Sequence, residues 1–488
     1  MQPGRERQLV TTAVLFGMFL AALEATAVAT AAPTAVGDLG GVSRYGWVFS
    51  VYLLTSTTTV PLFGKLADLY GRRITYHVAV GIFLLGSILC GLAGSFEQLI
   101  LFRAIQGLGA GGVQPIGITI IGDIYSLEER GRMQALFSAI WAVASVTGPP
   151  LGGWLTDTLS WRWIFYLNIP FGLVSAWMLH HYLREKKQRR EHRLDILGTV
   201  TLTTAVTLLL IALVEGPEVW GWTDARTLGL FAGSLLSLAV FLWQERRAEE
   251  PMLPLDLFKN RIIAVASVGN TFLGTLLFAI TAFVPLFAQG VLGKSATDAG
   301  TLLMPVLIGW PISSTIVGRY LTRIGYRTFA IGGSLLLIAG CSLLATVDAS
   351  TGSLMILLAM LIIGLGMGFT SMPYLLGPQN AVPWSQRGVT TSSVQFFRTI
   401  GGSISVAALG ALLNARLHAV DPHLDPNAAL NRELRAKASS ETLAHLSSAL
   451  LYGLQGVFLV TALIAAVTFV VAWLFPKGTA SEHQHPER

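Results

Sequence analysis

The stretch GKLADLYGRR at residues 64–73 is echoed by GRYLTRIGYR at residues 318–327, 254 positions later. Further along the chain, three glycines and an Arg-Gly pair repeat at an offset of 257. The repeated positions are Gly107, Gly109 and Gly111 with Gly364, Gly366 and Gly368, and Arg130-Gly131 with Arg387-Gly388. Two independent echoes at nearly one offset predict two similar halves in parallel orientation.

The composition around these echoes excludes most soluble classes of protein. Of 488 residues, 53% are apolar and only 12% are charged, whereas an average soluble domain is about 25% charged. This excludes a cytosolic enzyme, a disordered protein and a secreted disulfide scaffold. Cys90 and Cys341 lie in separate apolar runs, so we interpret them as small buried hydrophobic residues. The net charge of +6 comes from cations between the apolar runs, which indicates a membrane rather than a nucleic acid as partner.

The apolar runs are long enough for membrane-spanning helices, which need about 20 residues each. They are continuous, without the alternation of a barrel strand. The fourteen runs are 9–32, 47–66, 74–95, 98–122, 134–157, 161–183, 195–215, 225–243, 262–289, 296–318, 327–347, 353–376, 388–413 and 449–474. We therefore predict an all-α integral membrane protein with fourteen transmembrane helices.

The distribution of lysine and arginine predicts the topology. Most of the 33 cations fall in connections on one side, and the positive-inside rule makes that side cytoplasmic. Both termini are then cytoplasmic, which requires an even number of spans. Together with the echoes, this predicts two parallel six-helix bundles with an inserted helix pair. The predicted divisions are 1–183 for the first bundle, 184–250 for the joint and helices 7 and 8, 251–476 for the second bundle with an outer loop at 414–448, and 477–488 for a cytoplasmic tail.

Five motifs resemble the major facilitator superfamily, and specifically its fourteen-span drug:proton antiporter branch. Two departures are Glu24, where the branch usually has aspartate, and Ala144, where the exporter motif usually begins with glycine. The motifs are GKLADLYGRR at 64–73, LFRAIQGLGAG at 101–111, TGPPLGG at 147–153, ALEATAVATAAP at 22–33 and WRWIFYLNIPFG at 161–172. The resemblance implies a multidrug efflux transporter driven by the proton gradient.

Glu24 is the one carboxylate that we place well inside an apolar run. Ionisable groups there are expensive and are by default functional, so we expect Glu24 to take up and release the coupled proton. The other interpretation is that it reaches the outer interface or pairs structurally. Arg103 is its natural partner, because a buried guanidinium needs an acceptor. The resemblance implies a role for Arg103 in proton transfer, with Gln106 on the same face; a purely structural pair remains the alternative.

A second constellation is predicted at the cytoplasmic ends of helices 2 and 4. Arg72 follows Asp68 by four residues, and Asp123 ends helix 4 on the same side, so Arg72 can bridge two carboxylates. The resemblance implies that this network holds the inner gate shut in the outward-open state. Thr322 stands at the echo of Asp68, which predicts an asymmetric latch. A topogenic role for Arg72 alone would leave Asp68 unexplained.

Helix 5 carries glycine and proline in a run that should bend it and let it pack closely on a helix of the other half. The residues are Gly148, Pro149, Gly152 and Gly153. Such bends are often only structural, and the resemblance favours a gating role.

Aromatic and amide side chains predict a loosely structured cavity for lipophilic, often cationic, compounds. Arg398 in helix 13 either binds anionic substrate groups or bonds to carbonyls opened by the Gly401-Gly402 step. The candidate cavity residues are Tyr52, Gln106, Gln114, Trp141, Phe272, Gln289, Trp310, Tyr374, Phe396 and Arg398.

The expected partners are a small-molecule substrate, protons and the lipid bilayer of the plasma or inner membrane, with no nucleic acid. We expect a monomer without cofactor or metal. An enzyme is disfavoured because no Walker loop, metal cluster or nucleophile–base pair appears. An exporter of an endogenous metabolite, lipid or siderophore would share every motif. A membrane sensor is a third possibility, and TGPPLGG disfavours an importer.

Overall fold

The computed structural model describes residues 4–125, 127–185, 195–383, 386–421, 430–431 and 439–477. Over these ranges the chain is helical and contains no strand. The predicted tail, except for Lys477, and part of the basic joint lie outside them. The helices are α1 Gly4–Leu39, α2 Trp47–Tyr70, α3 Arg72–Leu92, α4 Phe96–Ile124, α5 Leu127–Thr158, α6 Arg162–Tyr166, α7 Asn168–Tyr182, α8 Ile196–Glu215, α9 Ala225–Glu245, α10 Arg261–Gly290, α11 Ala296–Ile324, α12 Tyr326–Ala345, α13 Ser353–Asn380, α14 Arg387–Val420 and α15 Ser440–Trp473.

Each of the fourteen predicted runs lies on a helix, and the sixth run is divided between α6 and α7. Eleven of the described helices are long and apolar enough to cross a membrane. The exceptions among the predicted spans are α2, which carries a Ser/Thr-rich stretch, α5, and the short α6–α7 pair. The all-helical membrane fold is confirmed. The number of spans and the side of each terminus stay predictions.

The predicted loop at 414–448 is wrong at both ends. Helix α14 continues to Val420, and α15 begins at Ser440, supported by a hydrogen bond from Thr442 N to the hydroxyl of Ser439. The connection between the two helices is therefore shorter than expected. Residues 422–429 and 432–438 of this connection fall outside the described residues.

The first sequence echo corresponds to two turns with the same backbone conformation. Gly71 joins α2 to α3 with φ 97° and ψ 151°, and Gly325 joins α11 to α12 with φ 92° and ψ 162°. Only glycine adopts this conformation readily. Each amide donates to a carbonyl four residues earlier, that of Ala67 at 3.1 Å and that of Leu321 at 2.9 Å. All of these partners are 254 positions apart, so the two corners are structurally equivalent.

The second echo marks two equivalent helix contacts. A Cβ at Gly109 on α4 would lie 2.3 Å from the backbone nitrogen of Phe83 on α3. At Gly366 on α13, a Cβ would lie 2.9 Å from the backbone nitrogen of Leu337 on α12. The glycines are 257 apart and their partners 254 apart. Glycine is therefore required at both places because the helix backbones touch.

The two halves of the chain meet along two equivalent seams, one between α5 and α11 and the other between α2 and α14. A Cβ at Gly300 on α11 would lie 2.3 Å from the carbonyl oxygen of Pro149 on α5. The equivalent contact joins Gly46, just before α2, to the carbonyl oxygen of Val406 on α14, at 2.9 Å. The pair α8 and α9 packs outside these seams, and α8 touches both α2 and α14. Both cysteines, Cys90 and Cys341, are free and buried.

Candidate functional site

Glu24 on α1 and Arg103 on α4 are in direct contact in the interior. Their side chains are almost completely buried, and Arg103 Nη1 donates a hydrogen bond to Glu24 Oε1. The guanidinium also donates to the carbonyl of Val48 at 3.2 Å and to Gln106 Oε1 at 2.7 Å. Its carbon lies 4.2 Å from the centre of the Tyr52 ring. The charge of Arg103 is thus compensated by groups from three helices.

The second oxygen of Glu24 is held by a residue that the sequence analysis missed. Asn168, the first residue of α7, donates from Nδ2 to Glu24 Oε2 at 2.6 Å and to Ser87 Oγ at 2.9 Å. Gln106 Nε2 also reaches Ser87 Oγ, at 3.1 Å. Asn168 is the single amide inside the quoted motif at 161–172, and that polarity was a usable signal. Ser87 gave none.

This polar network is closed and electrically neutral. Isolated ions in the interior would cost several kcal/mol each, and good geometry with further hydrogen bonds offsets that penalty. Adding one proton to Glu24 removes the negative charge opposite Arg103 and converts one acceptor lone pair of the carboxylate into an O–H donor. The arrangement can therefore change its bonding between α1, α4 and α7 with a single proton.

The predicted gate network is present in part. Arg72 Nε donates to Asp123 Oδ2 at 3.0 Å, and Arg72 Nη1 donates to the carbonyl of Ala67 at 3.0 Å. These bonds join the α2–α3 corner to the end of α4. The Asp68 side chain lies outside the described residues, as does that of Thr322 at its echo. One of the two expected bridges is therefore in place.

A carboxylate that we did not predict binds the same corner. Glu185, beyond the end of α7, accepts the backbone N–H groups of Arg72 at 2.5 Å and Arg73 at 3.2 Å. A carboxylate at a helix N-terminus satisfies free amides and the helix dipole. A Cβ at Gly71 would lie 2.8 Å from Glu185 Oε2. Glu185 stands in the basic joint that follows α7, where the sequence analysis named no site residue.

The glycines of the helix 5 motif permit contact on two sides of α5. A Cβ at Gly148 would lie 2.0 Å from the hydroxyl oxygen of Thr26 on α1, and Gly152 packs on the same helix. Gly153 packs against the first residues of α11, on the opposite side. The carbonyl of Pro149 also accepts a hydrogen bond from α1. The motif therefore lies where α1 of one half and α11 of the other both touch α5.

Asp157 lies near the end of α5 and contacts the first residues of α11. Its carboxylate is half-buried and accepts the backbone N–H of Ala296 at 3.2 Å and of Thr297 at 2.8 Å, and the Thr297 hydroxyl at 2.6 Å. It caps the start of α11 from α5. Asn414, 257 positions later, donates to the carbonyl of Ser43 at 2.8 Å.

Four of the candidate cavity residues, including Gln106 of the polar network, are buried and bind or pack on protein groups. Tyr52 is buried beneath Arg103. Gln289 donates to the carbonyl of Thr30 at 2.8 Å, which joins α10 to α1. Tyr374 is fully buried and stacks on Phe475, with ring centres 5.3 Å apart. We therefore reassign Tyr374 and Gln289 to helix packing.

The other cavity candidates, Gln114, Trp141, Phe272, Trp310, Phe396 and Arg398, are half-buried. Phe396 packs on the core that α8 shares with α2 and α14. Trp310 on α11 donates from Nε1 to the Ser371 hydroxyl at 3.0 Å, and its ring centre lies 5.9 Å from the guanidinium carbon of Arg398. Arg398 of α14 thus faces an indole of α11 that is itself bonded to α13.

An open cleft of about 680 Å³ lies between α1, α4 and α5, and no sequence pattern predicted it. Arg7 and Glu129 face it and form a two-fold ion pair at 2.8 and 3.1 Å. The Arg7 guanidinium lies 4.4 Å from the Tyr125 ring centre, and Thr11 shares a hydrogen bond with the Tyr125 hydroxyl at 2.9 Å.

Comparison with known proteins gives a consistent result. The sequence profile of the Major Facilitator Superfamily matches residues 14–406. Multidrug transporter protein MdtP of Bacillus subtilis (strain 168) is 42% identical over 411 residues, covering 84% of this chain and 76% of the relative. Multidrug resistance protein 3 of the same organism is 35% identical over 405 residues, covering 83% and 79%.

Among solved structures, the fold resembles a bacterial homologue of the human lysosomal transporter Spinster, in an inward-facing and unoccupied conformation. The TM-score is 0.70 and the coverage is 99% of this chain and 98% of the other. The sequence identity is 16%, so this likeness concerns the fold alone.

Proposed function

The chain belongs to the major facilitator superfamily, and from that premise we propose that it is a proton-coupled antiporter that exports lipophilic, often cationic, compounds. As a member of this family it is a multi-pass membrane protein and a transporter. Two relatives named for multidrug transport or resistance support drug export. We further propose that it acts as a monomer in the cell membrane, without a cofactor.

The observation that carries the proposal is the buried ion pair of Glu24 and Arg103. A carboxylate deep in the membrane-spanning part is costly unless it has a function or a partner. Here it has a partner, and its bonds connect three helices of the first half. Protonation would exchange an ion pair for weaker bonds, which is the type of switch that coupling a proton to helix movement requires.

In the proposed cycle, Glu24 receives a proton when the transporter faces outward, and the substrate leaves. When it faces inward, Glu24 loses the proton and pairs again with Arg103, and a new substrate binds. Arg72 and Asp123 hold the cytoplasmic side closed in the outward-open state. The glycines of α5 allow α1 and α11 to slide past it between the two states.

The energetics define what this cycle can drive. Each unit of pH difference supplies about 1.4 kcal/mol per proton, and each charge that crosses supplies about 2.3 kcal/mol per 100 mV. Exchange of one proton for one monovalent cation moves no net charge, whereas exchange for a neutral compound moves one.

The test is dye efflux from proteoliposomes under an imposed pH gradient. We expect the wild type to move a lipophilic dye cation against the concentration gradient of the dye. The Glu24→Gln variant should only equilibrate the dye or not move it at all. Glu215→Gln is the matched control, because Glu215 is another half-buried carboxylate and it accepts from Trp47 Nε1 at 3.2 Å. Equal pumping by wild type and Glu24→Gln would make Glu24 structural and refute the mechanism.

A further inference from the structure

Arg398 is a cation in the membrane-spanning part to which the mechanism assigns no role. It lies about three helical turns from the start of α14 and is half-buried. Among the described residues, its guanidinium forms neither a hydrogen bond nor an ion pair. Its guanidinium carbon lies 5.9 Å from the ring centre of Trp310. Arg103, by contrast, has three acceptors.

No described carboxylate serves as its partner. The helices that pack on α14 include α2, α8, α10, α13 and α15. Their described acidic side chains are Glu215, which binds Trp47, and Glu441 in the first turn of α15. Asp68, whose side chain is not described, stands near the far end of α2.

The alternative of a bond to freed carbonyls is not observed either. At the Gly401-Gly402 step, α14 packs tightly on α10: a Cβ at Gly401 would lie 2.5 Å from the carbonyl oxygen of Thr271, and one at Gly402 would lie 2.1 Å from Phe278. In the described part of the chain, the Arg398 guanidinium bonds to none of the carbonyls there.

We propose that Arg398 and Trp310 form a subsite for the carboxylate of a lipophilic substrate. A guanidinium fits a carboxylate with two parallel hydrogen bonds, and it keeps its charge at any physiological pH. Trp310, fixed by Ser371, supplies an aromatic wall beside the charge. This inference rests on the proposed function and defines its substrate class: lipophilic acids and zwitterions are exported better than the matching plain cations.

The probes are a rhodamine methyl ester cation and the corresponding free acid, which differ only in one carboxylate. Efflux of each is measured in proteoliposomes, and binding of each to the purified full-length protein is measured by fluorescence polarisation. The variants are Arg398→Gln and Arg398→Lys. Arg416→Gln is the matched control, because it removes a guanidinium of the same helix that lies 5.0 Å from the Tyr452 ring centre.

We expect Arg398→Gln to weaken binding and efflux of the free acid about tenfold, because charged hydrogen bonds of this type are lost. The ester should change less than about twofold. Arg398→Lys keeps the positive charge but cannot form two parallel hydrogen bonds. It should therefore reduce binding and efflux of the free acid less than Arg398→Gln does. If the Arg398→Gln variant does not fold, the Arg398→Lys variant tests the subsite. A loss of binding and efflux in Arg398→Lys that is confined to the free acid supports it.

The inference fails if both probes lose binding equally in Arg398→Gln, since Arg398 would then be structural. It also fails if the wild type does not bind the acid more tightly than the ester. A wild type that moves the ester but neither binds nor moves the acid refutes the subsite alone. Tight acid binding without driven efflux of either probe refutes the proposed function and retains the subsite.

Discussion

The α4 corner of the first half and the α13 corner of the second half have the same backbone packing and opposite chemistry. In α4, the turn before the repeated glycines carries Arg103 and Gln106. The positions 257 residues later in α13 are Met360 and Ile363, and both are fully buried. The glycines therefore belong to the architecture that the two halves share, whereas the polar network lies in the first half.

The second half has its charge elsewhere. Arg398 on α14 stands 257 residues after Trp141 on α5, so a guanidinium in one half corresponds to an indole in the other. We propose from this comparison that proton coupling belongs to the first half and contact with substrate charge to the second. The predictions below test that division.

The largest effect on transport and stability is expected when Arg103 is replaced by methionine, the residue at the equivalent position of the second half. Arg103→Met should abolish driven efflux and destabilise the protein by about 3–5 kcal/mol, because Glu24 would remain buried without its partner. Thermal unfolding in detergent and dye efflux measure the two effects.

Arg103→Met combined with Glu24→Gln should recover much of the stability and none of the coupling. Driven efflux in the Arg103→Met variant would show that the polar network is not the coupling element, and the division between the halves would collapse.

A smaller and symmetric effect is expected at the shared glycines. Gly109→Ala and Gly366→Ala should each cost roughly 1–3 kcal/mol, because the added Cβ meets a neighbouring helix backbone. Gly229→Ala on α9 is the control, since a Cβ there meets nothing within 4 Å, and it should not destabilise. The melting temperatures of the three variants, compared with the wild type, measure these changes in stability. A loss at only one of the two glycines would argue against equivalent packing.

A still smaller effect is expected at the seam between the halves. Asp157→Ala should lower stability by about 0.5–2 kcal/mol, the usual range for loss of a helix cap. Asn414→Ala should lower it by about 0.5–1.5 kcal/mol, the net contribution of one hydrogen bond. Thr158→Ala, which removes an exposed hydroxyl beside Asp157, should change little. If both seam variants melt like the wild type, these side-chain contacts at the seams contribute nothing measurable.

The smallest response is expected for the effect of voltage on export of a cation. With one proton exchanged per substrate, 100 mV should hardly change export of a monovalent cation, whereas export of a neutral compound should respond by about 2.3 kcal/mol. Flux under a potassium diffusion potential measures both. Voltage-driven export of the cation would indicate more than one proton and a second coupling carboxylate.

The sequence predicted the helices and their repeat because those properties are local. Runs of about 20 apolar residues specify spanning helices, and the offset of 254 located the equivalent turns at Gly71 and Gly325. Glu24 and Arg103 were identified because charge in an apolar run is rare and costly.

The rest depends on which helix faces meet. Asn168 and Ser87 both belong to the polar network, but only Asn168, the single amide of its motif, gave a signal in the sequence. Glu185 was hidden in a basic stretch. Tyr374 was expected in a cavity because it is aromatic, and only its contact with Phe475 shows that it packs the interior. Side-chain orientation in an apolar helix is not encoded in composition alone.

The burial of both cysteines has a practical consequence. Cys90 and Cys341 are sealed from thiol reagents, so reporter cysteines can be introduced without first removing the native ones. Leu159 beside the end of α5 and Leu354 in the first turn of α13 are exposed and lie in different halves. A fluorophore pair at these two positions would report the separation of the halves by energy transfer, molecule by molecule, while transport proceeds.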